Sequence, residues 1–148
     1  MVFLCTTDFN FQNVGFTPRF GTANQTHIPG IESSESTTAV GVVVTKASPV
    51  TRTITNTSVD AIKVSITLPQ LQRATDAGDL LGSSVQFKIS VQYNSGGFTD
   101  VITDTITGRT ADAYQKDYRV DITGAFPVDI RITRITADST SSSLVDAF

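Results

Sequence analysis

The sequence predicts an all-β fold, an antiparallel β-sandwich of about eight strands, and three observations carry that prediction. Of 148 residues, 23 are Thr, 15 Val and 12 Ile, so about a third are β-branched types that suit pleated strands and lose rotamer freedom in helices. Twelve of the 14 acidic residues are Asp, and only Glu32 and Glu35 are the acid that favours a helix. Apolar residues recur with period 2 in one segment after another, separated by short turn-forming stretches, and no segment has a convincing helical period.

In chain order, Phe9, Phe11, Val14 and Phe16, with Gly15 among them, read as a kinked strand or two short ones. Val40, Val42 and Val44 form a strand after the polar Glu32-to-Thr38 stretch, and Pro49, which suits an edge or corner, separates it from a strand over 51–55. The clearest alternation is Ile62, Val64, Ile66 and Leu68 against Lys63, Ser65 and Thr67. Residues 69–84 contain the only plausible helical turn, but Pro69, Gly78 and Gly82 favour an extended loop. Val85, Phe87, Ile89, Val91 and Tyr93 define the next strand, and Asn94-Ser95-Gly96-Gly97 a hairpin turn. In the return strand, Phe98 to Thr107, Ile102 and Ile106 share a phase with Asp100 and Asp104, which suits an edge guarded by charge. Tyr118, Val120 and Ile122, then Val128, Ile130 and Ile132, complete the set. Ile135 falls out of phase, and a bulge near Thr133 and Arg134 or the strand's end would account for it.

The pattern is that of a single sandwich domain over 1–148, immunoglobulin/fibronectin-like or jelly-roll-like. Residues 1–20 read as leading strands that could come from a neighbouring domain, and the Ser-rich 138–148 stretch as a mobile tail.

Composition also excludes chemistry. One His and one Cys cannot build a His/Cys metal site or a disulfide framework, and no cofactor or metal is expected. His27 reads as a loop or packing histidine and Cys5 as an incidental thiol. Asp76 with Asp79, and Asp112 with Asp117, are candidate carboxylate pairs, but without the dense spacing of a calcium loop they default to solvated loop acids. Asp100, Asp104, Asp121 and Asp129 read as edge protection or as partners for Lys and Arg. A net charge of −3 without a basic stripe argues against nucleic acid. The first residues lack a basic region and break at Asp8, so they do not read as a signal peptide, and no apolar run is long enough for membrane insertion. Without Trp, a sugar-stacking platform would fall to Phe98 at a hairpin tip and Tyr114 in a loop.

A more specific signal lies in the order of segments. Phe20 through Ile31 (FGTANQTHIPGI), followed by Ser48-Pro49-Val50-Thr51-Arg52, resembles the N-terminal region of the tail tip attachment protein J, or host specificity protein J, family of lambda-like phages and prophages. Three further stretches resemble the same family in the same order: Asp60–Val64 running on to Leu68–Leu71, Asp104–Thr110 with Tyr114–Arg119, and Ile130–Ser139. The resemblance spans about residues 11–145. It implies a non-catalytic structural domain at the virion tail tip, assembled with other tail tip proteins and further copies of the J-like protein. The family's chain runs on where this one stops, so the sequence reads as an excised fragment or a short prophage frame. Contacts would run through loops 21–31, 72–84, 94–98 and 108–116, with Phe98, Arg109 and Tyr114 the candidate interaction residues. A glycan- or cell-surface-binding module contacting the bacterial envelope or a receptor through those loops is the competing reading.

Overall fold

The computed structural model describes Pro18, Phe20, Gly21 and residues 36–148. The chain divides into two compact units, Met1–Val40 and Gly41–Phe148. In the first, the described residues are exposed and outside any strand. The expected strands around Phe9–Phe16, with Cys5 and His27, lie outside the described residues. All the strands described belong to the second unit, a shorter span than the domain expected over 1–148.

That unit has nine strands: β1 (Val50–Ile54), β2 (Ala61–Leu68), β3 (Gln72–Ala74), β4 (Leu80–Leu81), β5 (Ser83–Tyr93), β6 (Thr99–Gly108), β7 (Tyr114–Asp121), β8 (Val128–Arg134) and β9 (Leu144–Val145). A four-stranded sheet in the order β1-β8-β5-β6 faces the β2-β7 pair, and a small third sheet runs β4-β3-β9. Every pairing is antiparallel. The period-2 residues read from the sequence fill the space between layers: Val85, Phe87, Ile89, Val91, Val128, Ile130 and Ile132 from one side, Ile66, Leu68, Tyr118 and Val120 from the other. Phe87 meets Tyr118 edge to face, ring centroids 5.5 Å apart, which locks the layers at the centre.

Local chemistry sets the connections. Asn94 and Ser95 both take positive φ (45° and 61°), and the Gly96 N–H donates to the Tyr93 carbonyl at 2.8 Å, the backbone of a type I′ hairpin between β5 and β6. β6 is an edge strand, as expected. Its pairing with β5 slips from Ile89↔Ile102 to Ser90↔Asp100, so Val101 is an extra, bulged residue. The bulge turns Asp100 to the face away from the core and leaves Asp104 on the inward side with Ile102 and Ile106. β8 keeps its register to Arg134, so the strand's end accounts for the displaced Ile135, whose N–H donates to the Gln86 carbonyl at 2.8 Å.

Three expectations need correction. The valine strand at 40–44 does not form: Gly41 takes φ +55°, which breaks an extended run, Val42 and Val43 stay exposed, and only Val44 turns inward. The segment 69–84 is neither helical nor an open loop but a short hairpin, β3 and β4, whose turn is tied by the Thr75 N–H to the Asp79 carbonyl at 2.8 Å. Residues 140–143 stay exposed, but the end of the 138–148 stretch is packed rather than loose. β9 pairs with β3, the Val44 N–H donates to the Phe148 carbonyl at 2.7 Å, and the Phe148 ring lies 5.3 Å from that of Phe87.

The packing of this last segment centres on Arg134. It occupies the next inward position after Val128, Ile130 and Ile132, and only 2% of it is exposed. Its Nη1 donates to the Asp146 carbonyl at 2.7 Å, Nε to the Thr136 carbonyl at 3.1 Å and Nη2 to the Ala137 carbonyl at 3.4 Å. Carboxylates of Asp146 and Asp138 sit 2.8 and 3.2 Å from the guanidinium, the Asp146 contact an off-axis ion pair rather than an aligned hydrogen bond. Arg134→Ala, which strands the buried Asp146 charge, is expected to lower unfolding free energy in urea titrations by about 3–5 kcal/mol. Adding Asp146→Ala should recover part of that loss; a double variant as unstable as the sum of the two singles would show that the pair is not coupled.

Candidate interaction surface

The three residues singled out from the sequence fall at two ends of the sandwich. Arg109 follows β6, is exposed, and donates through Nη1 to the Leu80 carbonyl at 3.1 Å, so it braces the β3–β4 hairpin. Tyr114 is 44% exposed and opens β7 opposite Leu68, a strand position rather than the loop expected. The turn between them is fixed by Thr110, whose N–H and carbonyl both bond Leu71 at 2.9 Å and whose hydroxyl donates to the Asp112 carbonyl at 2.7 Å. Exposed Leu80 and Leu81 belong to the same end. Nearby, an open depression of about 490 Å³ is lined by Arg73, Gly82, Ser83, Ser84, Thr107 and Leu144. Loop 21–31 is outside the described residues except for Gly21.

Phe98 sits at the other end of β6, eleven residues from Arg109 along a strand that rises ~3.3 Å per residue, so the two cannot share one contact site. Its ring is half-buried, and the guanidinium of Arg131 stacks over it 3.8 Å from the centroid. This is the face of the four-stranded sheet that points away from the core. Cross-strand neighbours there form a continuous polar layer, Thr51–Arg131–Ser90–Asp100 in one row and Thr53–Asp129–Gln92 in the next. Asp100 accepts from the Ser90 hydroxyl at 2.6 Å and from Lys88 Nζ at 2.9 Å, and these bonds, that to Lys88 first, hold its carboxyl below the ordinary carboxylate range. Asp129 accepts from the Thr53 hydroxyl at 2.5 Å and from Gln92 Nε2 at 3.0 Å.

A third cluster ties the layers at the β6 edge. Asp104, turned inward beside Ile106, accepts from Lys116 Nζ at 2.7 Å and from the Tyr118 hydroxyl at 2.6 Å, both on β7. Those two bonds hold the Asp104 carboxyl at about 2. Burial, then the bond to Asp104, push the Tyr118 phenol up. A carboxylate fixed in its charged form and a phenol fixed in its neutral form are poorly matched to proton transfer near neutral pH. The cluster is a structural tie. Of the acids expected to pair with Lys or Arg, Asp100 and Asp104 do so between strands, Asp121 meets Arg119 on its own strand at 2.8 Å, and Asp129 takes neutral donors instead. Asp76 and Asp79 lie in the exposed β3–β4 turn, and no group of three or more His, Cys, Asp or Glu among the described residues could hold a metal.

Sequence reasoning missed Arg131 and Arg134. The second left a trace, because Arg134 stands in phase with three inward aliphatic residues; the first left none, since a stack on Phe98 depends on the β5–β8 register.

The strand-bearing unit is a two-layer antiparallel β-sandwich with interlayer aromatic packing and a hydrogen-bonded polar outer face. The chain belongs to the tip attachment protein J family: the family model "Tip attachment protein J, FNIII-A domain" matches residues 34–148. It is similar to the tip attachment protein J of Escherichia phage SECphi27, 31% identical over 138 residues, and to that of Escherichia phage SECphi4, 35% identical over 139 residues. Each match covers 93% of this chain and 12% of the relative, so the chain spans about an eighth of the length of those proteins.

Tyr118→Phe removes a hydrogen bond to a charged acceptor and is expected to cost about 1.5–3 kcal/mol in denaturant titration without changing the fold. Because the folded Asp104 carboxyl lies at about 2, below its ordinary 3.8, its stabilising contribution is complete above pH ~4 and is lost as pH falls toward 2. Asp104→Asn should therefore flatten stability against pH in that window; an unchanged acid limb would remove Asp104 from the account.

Proposed function

We propose that the chain is a non-catalytic structural domain of a phage or prophage tail tip, contributing to assembly of the tip and to host attachment. The observation that carries this reading is the coincidence of two spans. The family model covers 34–148, a span that contains all of the strand-bearing unit Gly41–Phe148. In this reading the domain works in the virion tail tip, among other tail tip proteins and further copies of the J-like protein. The disposition of its polar groups supports a scaffold role: the acids of the outer face and of the interlayer tie are held by neighbouring donors.

A glycan- or cell-surface-binding module working through the loops is supported less well. It asks Phe98 and Tyr114 to act as a stacking platform, yet Phe98 is capped by Arg131 and Tyr114 stands at the opposite end of β6.

Antibodies raised against the chain, gold-labelled and applied to virions of a phage carrying it, should mark the tail tip. Label on capsids or only on host envelope would overturn the proposal. Applied to a glycan array, the chain should give no specific binding; specific binding abolished by Tyr114→Ala would establish the surface-binding module instead.

A further inference from the structure

On the outer face of the four-stranded sheet, one charged group is held differently from the rest. Both oxygens of Asp100 are engaged by Ser90 and Lys88, and both oxygens of Asp129 by Thr53 and Gln92, so the acids of this face are taken and Lys88 has its ion partner. Arg131 shares the face and is near enough to Asp100 to favour its charged form. Yet no hydrogen bond or ion pair reaches its guanidinium among the described residues. Nε is sealed from solvent without an acceptor, and the group is positioned by its stack on Phe98 at 3.8 Å. A guanidinium oriented by an aromatic ring, with its fork not engaged by a protein carboxylate, is pre-organised for bidentate capture of one. Arg and aromatic residues packed together are also the residue types that dominate binding energy at protein interfaces.

We infer that the Arg131–Phe98 stack is an interface anchor that receives an Asp or Glu side chain of a partner protein. The inference rests on the assembly role proposed above and names the surface through which it runs. Charge complementarity selects the occupant. The fork asks for a planar anion, while Asp100 and Asp129 beside it disfavour a doubly charged phosphate more than a single carboxylate. The short threonine side chains around the stack, Thr51, Thr53 and Thr133 on neighbouring positions, leave room for a protein surface to approach.

The test is nuclear magnetic resonance of the whole chain, following the Arg131 Nε–Hε signal and the Phe98 ring during titration with hexaglutamate. Both should shift saturably, and the effect should weaken several-fold when salt is raised to about 0.5 M, as expected for an exposed charge contact. Arg131→Lys keeps the charge but loses the fork, and should weaken binding about tenfold; Phe98→Leu removes the shelf and should also weaken it. Both variants should retain the dispersed spectrum of the sandwich. Equal binding by Arg131→Lys, or shifts confined to other residues, would overturn the anchor. Binding of a hexagalacturonate in place of hexaglutamate would overturn the protein partner in favour of an acidic glycan. Because the titration reads only this contact, its failure would leave the tail-tip labelling experiment to decide the broader role.

Discussion

The buried guanidinium of Arg134 is the interaction on which the architecture of the C-terminal third depends. β8 carries it into the inward row behind three aliphatic side chains, where an isolated charge would be prohibitive. The chain solves the problem by wrapping the segment from Thr136 to Asp146 around it. The carbonyls of Thr136, Ala137 and Asp146 and the carboxylates of Asp138 and Asp146 all converge on one side chain. That convergence brings β9 beside β3 and sets Phe148 against Phe87, and the Phe148 carbonyl in turn anchors Val44. Without the arginine, the segment after β8 would have few apolar residues with which to secure itself.

This dependence explains why the 138–148 stretch looks loose in the sequence and packs in the structure. Its composition, four Ser and a Thr followed by a short apolar end, lacks the hydrophobic content that normally announces an ordered element. Order comes from a residue outside the stretch, and a local reading cannot see it. The strands of the main sheets are the opposite case. In β2, and in β5 everywhere but at the buried outer-face Ser90, the residues that alternate in the sequence are the ones that alternate in burial, because a sheet with one face on the core imposes period 2 directly on composition. The valine run at 40–44 puts Val40, Val42 and Val44 in one phase yet forms no strand, and Gly41 within it takes positive φ. Sequence pattern reports what a segment can pair as; it does not report whether an edge is offered to it.

The candidate interaction residues divide along the same line. Arg109 and Tyr114 share one end because a short turn joins β6 to β7, which the sequence order already implies. The capping of Phe98 by Arg131 could not be read, since the two are 33 positions apart and meet through the β5–β6 pairing and the β5–β8 ladder together. The charged phase of β6 was legible in kind but not in detail. Asp100 and Asp104 appear equivalent in sequence, and the bulge at Val101 separates them, one to the outer polar layer and one to the interlayer tie.

That separation is what allows one edge strand to do two jobs. An inward carboxylate at an edge blocks unwanted strand addition, but inside a sandwich it needs donors, and β7 supplies Lys116 and Tyr118 at the same level as the edge. Asp100, released to the other face, completes a layer in which the acids are already satisfied. A surface organised in this way gives an approaching carboxylate no competing acceptor to displace at Arg131. It also holds the arginine over an aromatic ring, so less side-chain freedom remains to be lost on contact. The bulge thus separates the inward acid that guards the edge from the outward acid that completes the polar face carrying the proposed contact.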